Sequence, residues 1–175
     1  MAFFFCDFKD PAKQNIRALL SSLVVQLSYQ SDSFYKILHD FYSTHRDGSQ
    51  QPSVEALTQC LENMLKVPGK APIYLIIDAL DECLGTSGIK SPREKVLGLV
   101  TALVELHISS LRLCVTSRPE FDIRAILEPL ATTFNRISLF RRWINCWDSW
   151  KTCKKTGRFY PRTVRRSTRN ARASP

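Results

Sequence analysis

The stretch Pro72–Cys83, P-I-Y-L-I-I-D-A-L-D-E-C, constrains the fold more than any other part of the chain. Five apolar residues, Ile73 to Ile77, run without a polar break and stop at Asp78, with Asp81 and Glu82 following within four positions. An apolar run of this length, bounded by a proline and an acidic cluster, predicts a strand buried on both faces of a parallel sheet. Ligands of open α/β sheets sit at the carboxyl ends of the strands, so Asp78, Asp81 and Glu82 form the candidate site. Carboxylates set side by side disfavour one another's ionisation. A divalent cation relieves this, and Mg²⁺ on a nucleotide phosphate needs only one or two carboxylates beside its waters.

The flanking sequence supplies the elements such a strand needs. Ala2–Phe8 (A-F-F-F-C-D-F) is a short aromatic strand candidate. Asp10-Pro11 offers an N-cap and an N1 proline, and Ile16, Leu19, Leu20, Leu23, Val24 and Leu27 then recur at helical spacing, which predicts one amphipathic helix over 11–29. A second helix is expected over Ser31–Thr44 and a third behind the Ser53 cap, with Val54, Leu57, Leu61, Met64 and Leu65 on its apolar face. Ser91-Pro92-Arg93-Glu94 reads as a capping box with proline at N1. It opens a helix that His107 closes, where a cation suits the carbonyl end. Leu111–Thr116 is the next strand, Asp122 caps a short helix, and Phe134–Leu139 reads as the last strand. Strands alternating with helices predict a parallel sheet with right-handed crossovers.

Two segments carry a family resemblance. Ile73–Asp78, then the small Ala79, then Leu80-Asp81-Glu82, resembles the Walker B strand of P-loop NTPases and more closely that of the NACHT branch of the STAND NTPases. Leu111–Pro119 (L-R-L-C-V-T-S-R-P) resembles the sensor-1 strand of the same family. Phe3–Asp10, the leucine-rich helix and I-I-D-A-L-D-E-C together resemble the nephrocystin-3-like N-terminal NACHT module found in fungal proteins, over roughly residues 2–139. The resemblance implies a three-layer P-loop NTPase-like parallel sheet with flanking helices. It assigns Asp78 to a water-mediated hold on Mg²⁺, Asp81 or Glu82 to polarising the attacking water, and Ser117 and Arg118 to contact with the nucleotide, Arg118 at the γ-phosphate. The implied cofactors are Mg²⁺ and ATP or GTP, and the implied function is that of a nucleotide-gated signalling switch.

The family's phosphate cradle, G-x-x-x-x-G-K-[ST], does not occur in the sequence. Gly69-Lys70 has Met64 in place of the first glycine and Ala71 in place of the hydroxyl residue, and Gly85–Ser91 has Ile89 between Gly88 and Lys90. In family members the P-loop strand precedes the segment equivalent to Ala2–Phe8 and lies between the sensor-1 strand and the last strand. The expectation is therefore an incomplete sheet with backbone unpaired on two buried strand edges, unless the remaining strands close up in a non-native pairing, and a fragment that does not hydrolyse nucleotide by itself or hold Mg²⁺ and nucleotide tightly.

Charge divides the chain sharply. Residues 1–139 carry 14 basic and 15 acidic side chains, whereas residues 140–175 carry 11 basic and one acidic, so the whole net charge of +9 belongs to the second segment. That basic segment, expected to be disordered or irregular, holds Trp143, Trp147 and Trp150 at helical spacing and then Arg162, Arg165, Arg166, Arg169 and Arg172. Its alternatives are a solvated tail with no selected role, a nucleic-acid arm over residues 141–172, and an interfacial helix on an anionic membrane. A non-enzymatic interaction module built on this tail, or one that docks on full-length NACHT relatives or on itself through open sheet edges, is the competing function class. Six scattered cysteines without a CxxC pair, and three histidines, argue against a zinc site. Cys6, Cys83 and Cys114 fall in or beside core strands, where cysteine acts as a small hydrophobe. The absence of a signal-peptide pattern and of any membrane-length apolar run leads to the expectation of a cytoplasmic, reducing setting.

Overall fold

A computed structural model describes residues 1–45, 50–69, 71–83, 91–133 and 137–140, with 132, 133 and 137–140 described in backbone alone. Strand β1 (Ala2–Phe5) is followed by a short 3-10 turn (Pro11–Gln14) and helices α1 (Ile16–Ser28), α2 (Asp32–Thr44) and α3 (Val54–Leu65). Strand β2 (Ile73–Asp78), a second 3-10 turn (Leu80–Glu82), α4 (Pro92–Glu105), β3 (Leu111–Thr116), α5 (Phe121–Thr133) and β4 (Ile137–Phe140) complete the order.

Local chemistry sets most of these boundaries. Ser31, Ser53 and Ser91 each accept the backbone N–H of the third residue on, and Glu94 returns a bond to the Ser91 N–H. The single helix expected over 11–29 is two pieces. Asn15 is extended (φ −111°, ψ 127°) and its side chain accepts from Arg17 N–H, so it caps α1 instead of continuing the 3-10 turn. The helix expected to be short after Asp122 is 13 residues long and continues through Pro129. At the end of α4 it is His107 that adopts the left-handed conformation (φ 54°), its N–H donating to Val104 O, which is a reversal usually given to glycine.

The four strands are parallel and lie in the order β1-β2-β3-β4. Each crossover therefore steps the same way across the sheet, and right-handed crossovers place all of their helices on one face. The packing agrees: α1 contacts α2, α3 and α4, and α4 contacts α5, in one continuous layer. Phe4, Leu75, Ile77, Leu113 and Val115 point into that layer and are buried, together with Leu19, Leu20, Leu23, Leu61, Met64, Leu97 and Leu103.

The opposite face departs from the expectation of a strand buried on both sides. Burial alternates along β2, with Tyr74 and Ile76 only half-buried, and Phe3 on β1 is 56% exposed. The apolar run from Ile73 to Ile77 thus has one face covered and one face open among the described residues. The described elements form two layers, helices and sheet, where the resemblance implied three. β3 and β4 pair directly, Leu113 opposite Ile137 and Thr116 opposite Phe140, at the place where the resemblance puts a further strand.

The β1 edge of the sheet is occupied by side chains. The Gln26 amide accepts from Phe3 N–H at 3.0 Å and donates to Phe3 C=O at 2.7 Å, and Gln30 donates to Met1 C=O at 2.8 Å. Gln26 in the last turn of α1 and Gln30 just past its end supply bonds that a neighbouring strand would otherwise provide. The docking expected through open sheet edges does not have the Phe3 backbone available to it.

Candidate functional site at the carboxyl ends of β2 and β3

β2 and β3 run side by side with Ile77 opposite Val115, so the last residues of the two strands, Asp78 and Thr116, come together at the end of the open face. The Thr116 hydroxyl donates to the Asp78 carboxylate and accepts from the Ala79 N–H at 2.9 Å. Thr116 is 3% exposed, so one buried hydroxyl both orients the carboxylate and satisfies the turn that follows it. Ala79 sits in the left-handed region (φ 54°, ψ 48°), a conformation that costs an L-residue about 1–2 kcal/mol. The reversal sends the chain into the Leu80–Glu82 turn, with Leu80 buried within it.

The three carboxylates do not share one environment. The Asp81 side chain is 8% exposed, accepts from the Arg118 backbone N–H at 2.9 Å, and pairs with Arg118 Nε at 3.1 Å. The Arg118 side chain is 74% exposed, so the cation covers the carboxylate from the solvent side. Glu82 accepts from Phe8 N–H at 3.3 Å, which ties the turn to the chain leaving β1. Asp78, Asp81 and Glu82 therefore each have a separate partner, and the crowding expected of three bare carboxylates is relieved by protein groups.

Arg93, from the first turn of α4, fixes the turn from below. Its Nη2 donates to Asp81 C=O at 2.6 Å, its Nε donates to Cys83 C=O at 3.2 Å, and its Nη1 pairs with Asp122 at 3.2 Å. One side chain, 17% exposed, thereby joins the acidic turn to the start of α5. Sequence reasoning singled out neither Thr116 nor Arg93 for the site. The signal for Thr116 was a hydroxyl at the last position of a strand beside one ending in Asp78. Arg93 had none beyond its place in a capping box.

Among the sequence-derived candidates, Asp78, Asp81, Glu82 and Arg118 come together at one end of the sheet. Ser117 lies between Thr116 and Arg118, and its hydroxyl donates to Arg118 C=O at 2.7 Å. Among the described residues there is no group of three or more His, Cys, Asp or Glu side chains placed to hold a metal ion. Mg²⁺ on a phosphate draws most of its oxygens from water and phosphate, so a single oriented carboxylate such as Asp78 fits its needs. Among the described residues no helix is long and apolar enough to cross a membrane. Of the basic tail read over residues 140–175, Phe140 belongs to β4, and residues 141–175, with their alternatives of a solvated tail or an arm for nucleic acid, a membrane or a partner, lie outside the described residues.

The family profile described as nephrocystin 3, N-terminal, matches residues 1–118. The vegetative incompatibility protein HET-E-1 of Podospora anserina is 31% identical over 141 residues, 79% of this chain and 10% of that protein. The chain thus spans about a tenth of the length of the curated relative it matches. No solved structure matches.

Proposed function

The chain belongs to the nephrocystin 3 N-terminal family and is NACHT-like, and from that premise we propose that it is the part of a nucleotide-dependent signalling switch that supplies the acidic and polar strand ends of the nucleotide site. In this reading β2 is the Walker B strand and β3 the sensor-1 strand. The observation that carries it is the Arg118–Asp81 pair, which joins the ends of the two strands through both backbone and side chain.

Each residue has a definable task. Thr116 keeps the Asp78 carboxylate turned toward the open face, where it would hold Mg²⁺ through water. Bound Mg²⁺ supplies charge neutralisation for the phosphate oxygens. Arg118 is mostly exposed and so can exchange its carboxylate partner for a γ-phosphate. Asp81 would then lose its counter-charge, which couples the state of the nucleotide to the acidic turn. Glu82, held by a single long bond at the rim, is the better placed of the two carboxylates to orient an attacking water, and Ser117 lies next to the phosphate-sensing arginine. The direct β3–β4 pairing and the open sheet face are where a P-loop strand and a further layer would enter.

Titration of the chain with Mg-ATP or Mg-GTP, followed by calorimetry, tests this. The expected result is no saturable binding in the micromolar range, because no P-loop is present to cradle the phosphates. Micromolar affinity would overturn the fragment reading. A longer polypeptide that includes an upstream G-x-x-x-x-G-K-[ST] is expected to hydrolyse nucleotide and to lose hydrolysis with Asp78→Ala. Full activity in that variant would remove Asp78 from the site.

A further inference from the structure

Cys6 leaves the end of β1 and Cys83 ends the acidic turn, 77 residues later in the chain, yet their sulfur atoms lie 3.1 Å apart and share an S–H···S hydrogen bond. They are 0% and 1% exposed. The two segments are already held together on either side of the sulfurs. Cys6 N–H donates to Asp78 C=O at 3.0 Å, and Phe8 N–H donates to Glu82. Arg93 holds the Cys83 carbonyl at 3.2 Å. We propose that Cys6 and Cys83 are a peroxide-oxidised dithiol whose disulfide ties the acidic turn to β1.

The geometry asks for little movement. A disulfide has an S–S length near 2.05 Å, so the sulfurs need to approach by about 1 Å, and neither backbone segment has to cross another element. The surroundings also distinguish the two thiols. The shared hydrogen bond with Cys6 and the Arg93 guanidinium, whose Nε sits 3.2 Å from the Cys83 carbonyl, hold the Cys83 thiol below its usual range against burial and the nearby Asp81 and Glu82 carboxylates, while that same bond and burial push Cys6 up. Cys83 is then the sulfur that attacks first. Its electron pair takes one oxygen of the peroxide, the O–O bond breaks, and the other oxygen leaves as water for hydrogen peroxide, giving a sulfenic acid on Cys83. The Cys6 sulfur attacks the Cys83 sulfur, the S–O bond breaks, and a second water departs with the Cys6 proton. Two electrons pass from the dithiol to the peroxide. Burial restricts the reaction to a small oxidant and to moments when the turn opens locally. Cys60 and Cys114 are also buried, but each lies on another element.

The disulfide would fix the segment that carries Asp81 and Glu82 to the strand that precedes it, and a thiol reductant would release it. This inference does not depend on nucleotide binding. The test treats the full chain with hydrogen peroxide, blocks remaining thiols with N-ethylmaleimide, and maps the unreduced digest by mass spectrometry. The expected result is a linked peptide containing Cys6 and Cys83 that forms ahead of oxidation at Cys60 or Cys114 and disappears with dithiothreitol. In Cys6→Ser the sulfenic acid should persist on Cys83 and be captured by dimedone, whereas Cys83→Ser should leave Cys6 unoxidised. If Cys6 and Cys83 are recovered separately alkylated after peroxide has oxidised Cys60 or Cys114, the proposal fails. It also fails if dimedone labels Cys6 in the Cys83→Ser chain as fast as Cys83 in the Cys6→Ser chain.

Discussion

The two faces of the sheet carry similar side chains and have different fates. On one face Phe4, Leu75, Ile77, Leu113 and Val115 are sealed beneath a layer of helices. On the other, Phe3, Tyr74 and Ile76 are equally apolar and remain partly in contact with solvent. Side-chain hydrophobicity does not decide between them. The direction of the connections does: strands added in one direction through right-handed crossovers deliver every helix to one side. The polar end of the open face, Asp78 with Thr116, is the place where that asymmetry meets chemistry.

Substitutions can break this comparison, and the largest effect is expected on the covered face. Leu75→Ala removes a 0% exposed side chain from the middle of β2 and should cost about 2–5 kcal/mol, read as a lower urea midpoint at unchanged slope. A loss below about 1 kcal/mol would mean that the helix layer does not pack on β2 as described. Thr116→Val keeps the shape but leaves the buried Ala79 N–H without its acceptor and Asp78 without its donor. About 1–3 kcal/mol should go, and Thr116→Ser should recover most of it. Equal stability of the Val and Ser chains would show that the hydroxyl bridge is not needed. The smallest effect belongs to Ile76→Ala on the open face, expected to cost well under half of what Leu75→Ala costs in the same urea series, because half-burial leaves less apolar area to lose. Parity between the two chains would mean that the open face is covered in solution.

The strand ends were legible in the sequence because an apolar run that stops at an acid is a one-dimensional signal. Ile73–Asp78 and Leu111–Thr116 stand where the run lengths placed them, and the serine caps of α3 and α4 were equally local. What was not legible depends on register or on competition. Thr116 reaches Asp78 only because β2 and β3 align Ile77 with Val115. Arg93 serves the acidic turn only because α4 begins beneath it, and Cys6 meets Cys83 only because β1 pairs with β2. Asn15 could extend a helix or cap one, and periodicity alone does not register that choice. The open face was missed because a continuous apolar run looks the same whether one or both of its sides are covered.

The glutamines along β1 give the sheet a polarity that its strand order does not. Hydrogen-bonded sheets extend by templating, each exposed backbone offering its pattern to the next chain, and here one margin already has its pattern answered by Gln26 and Gln30 from the same molecule. At that margin the protein behaves as a chain terminator: a second molecule could join there only by first displacing two intramolecular amides. Such a molecule can be crowded with its own copies without seeding a lattice from its amino-terminal strand.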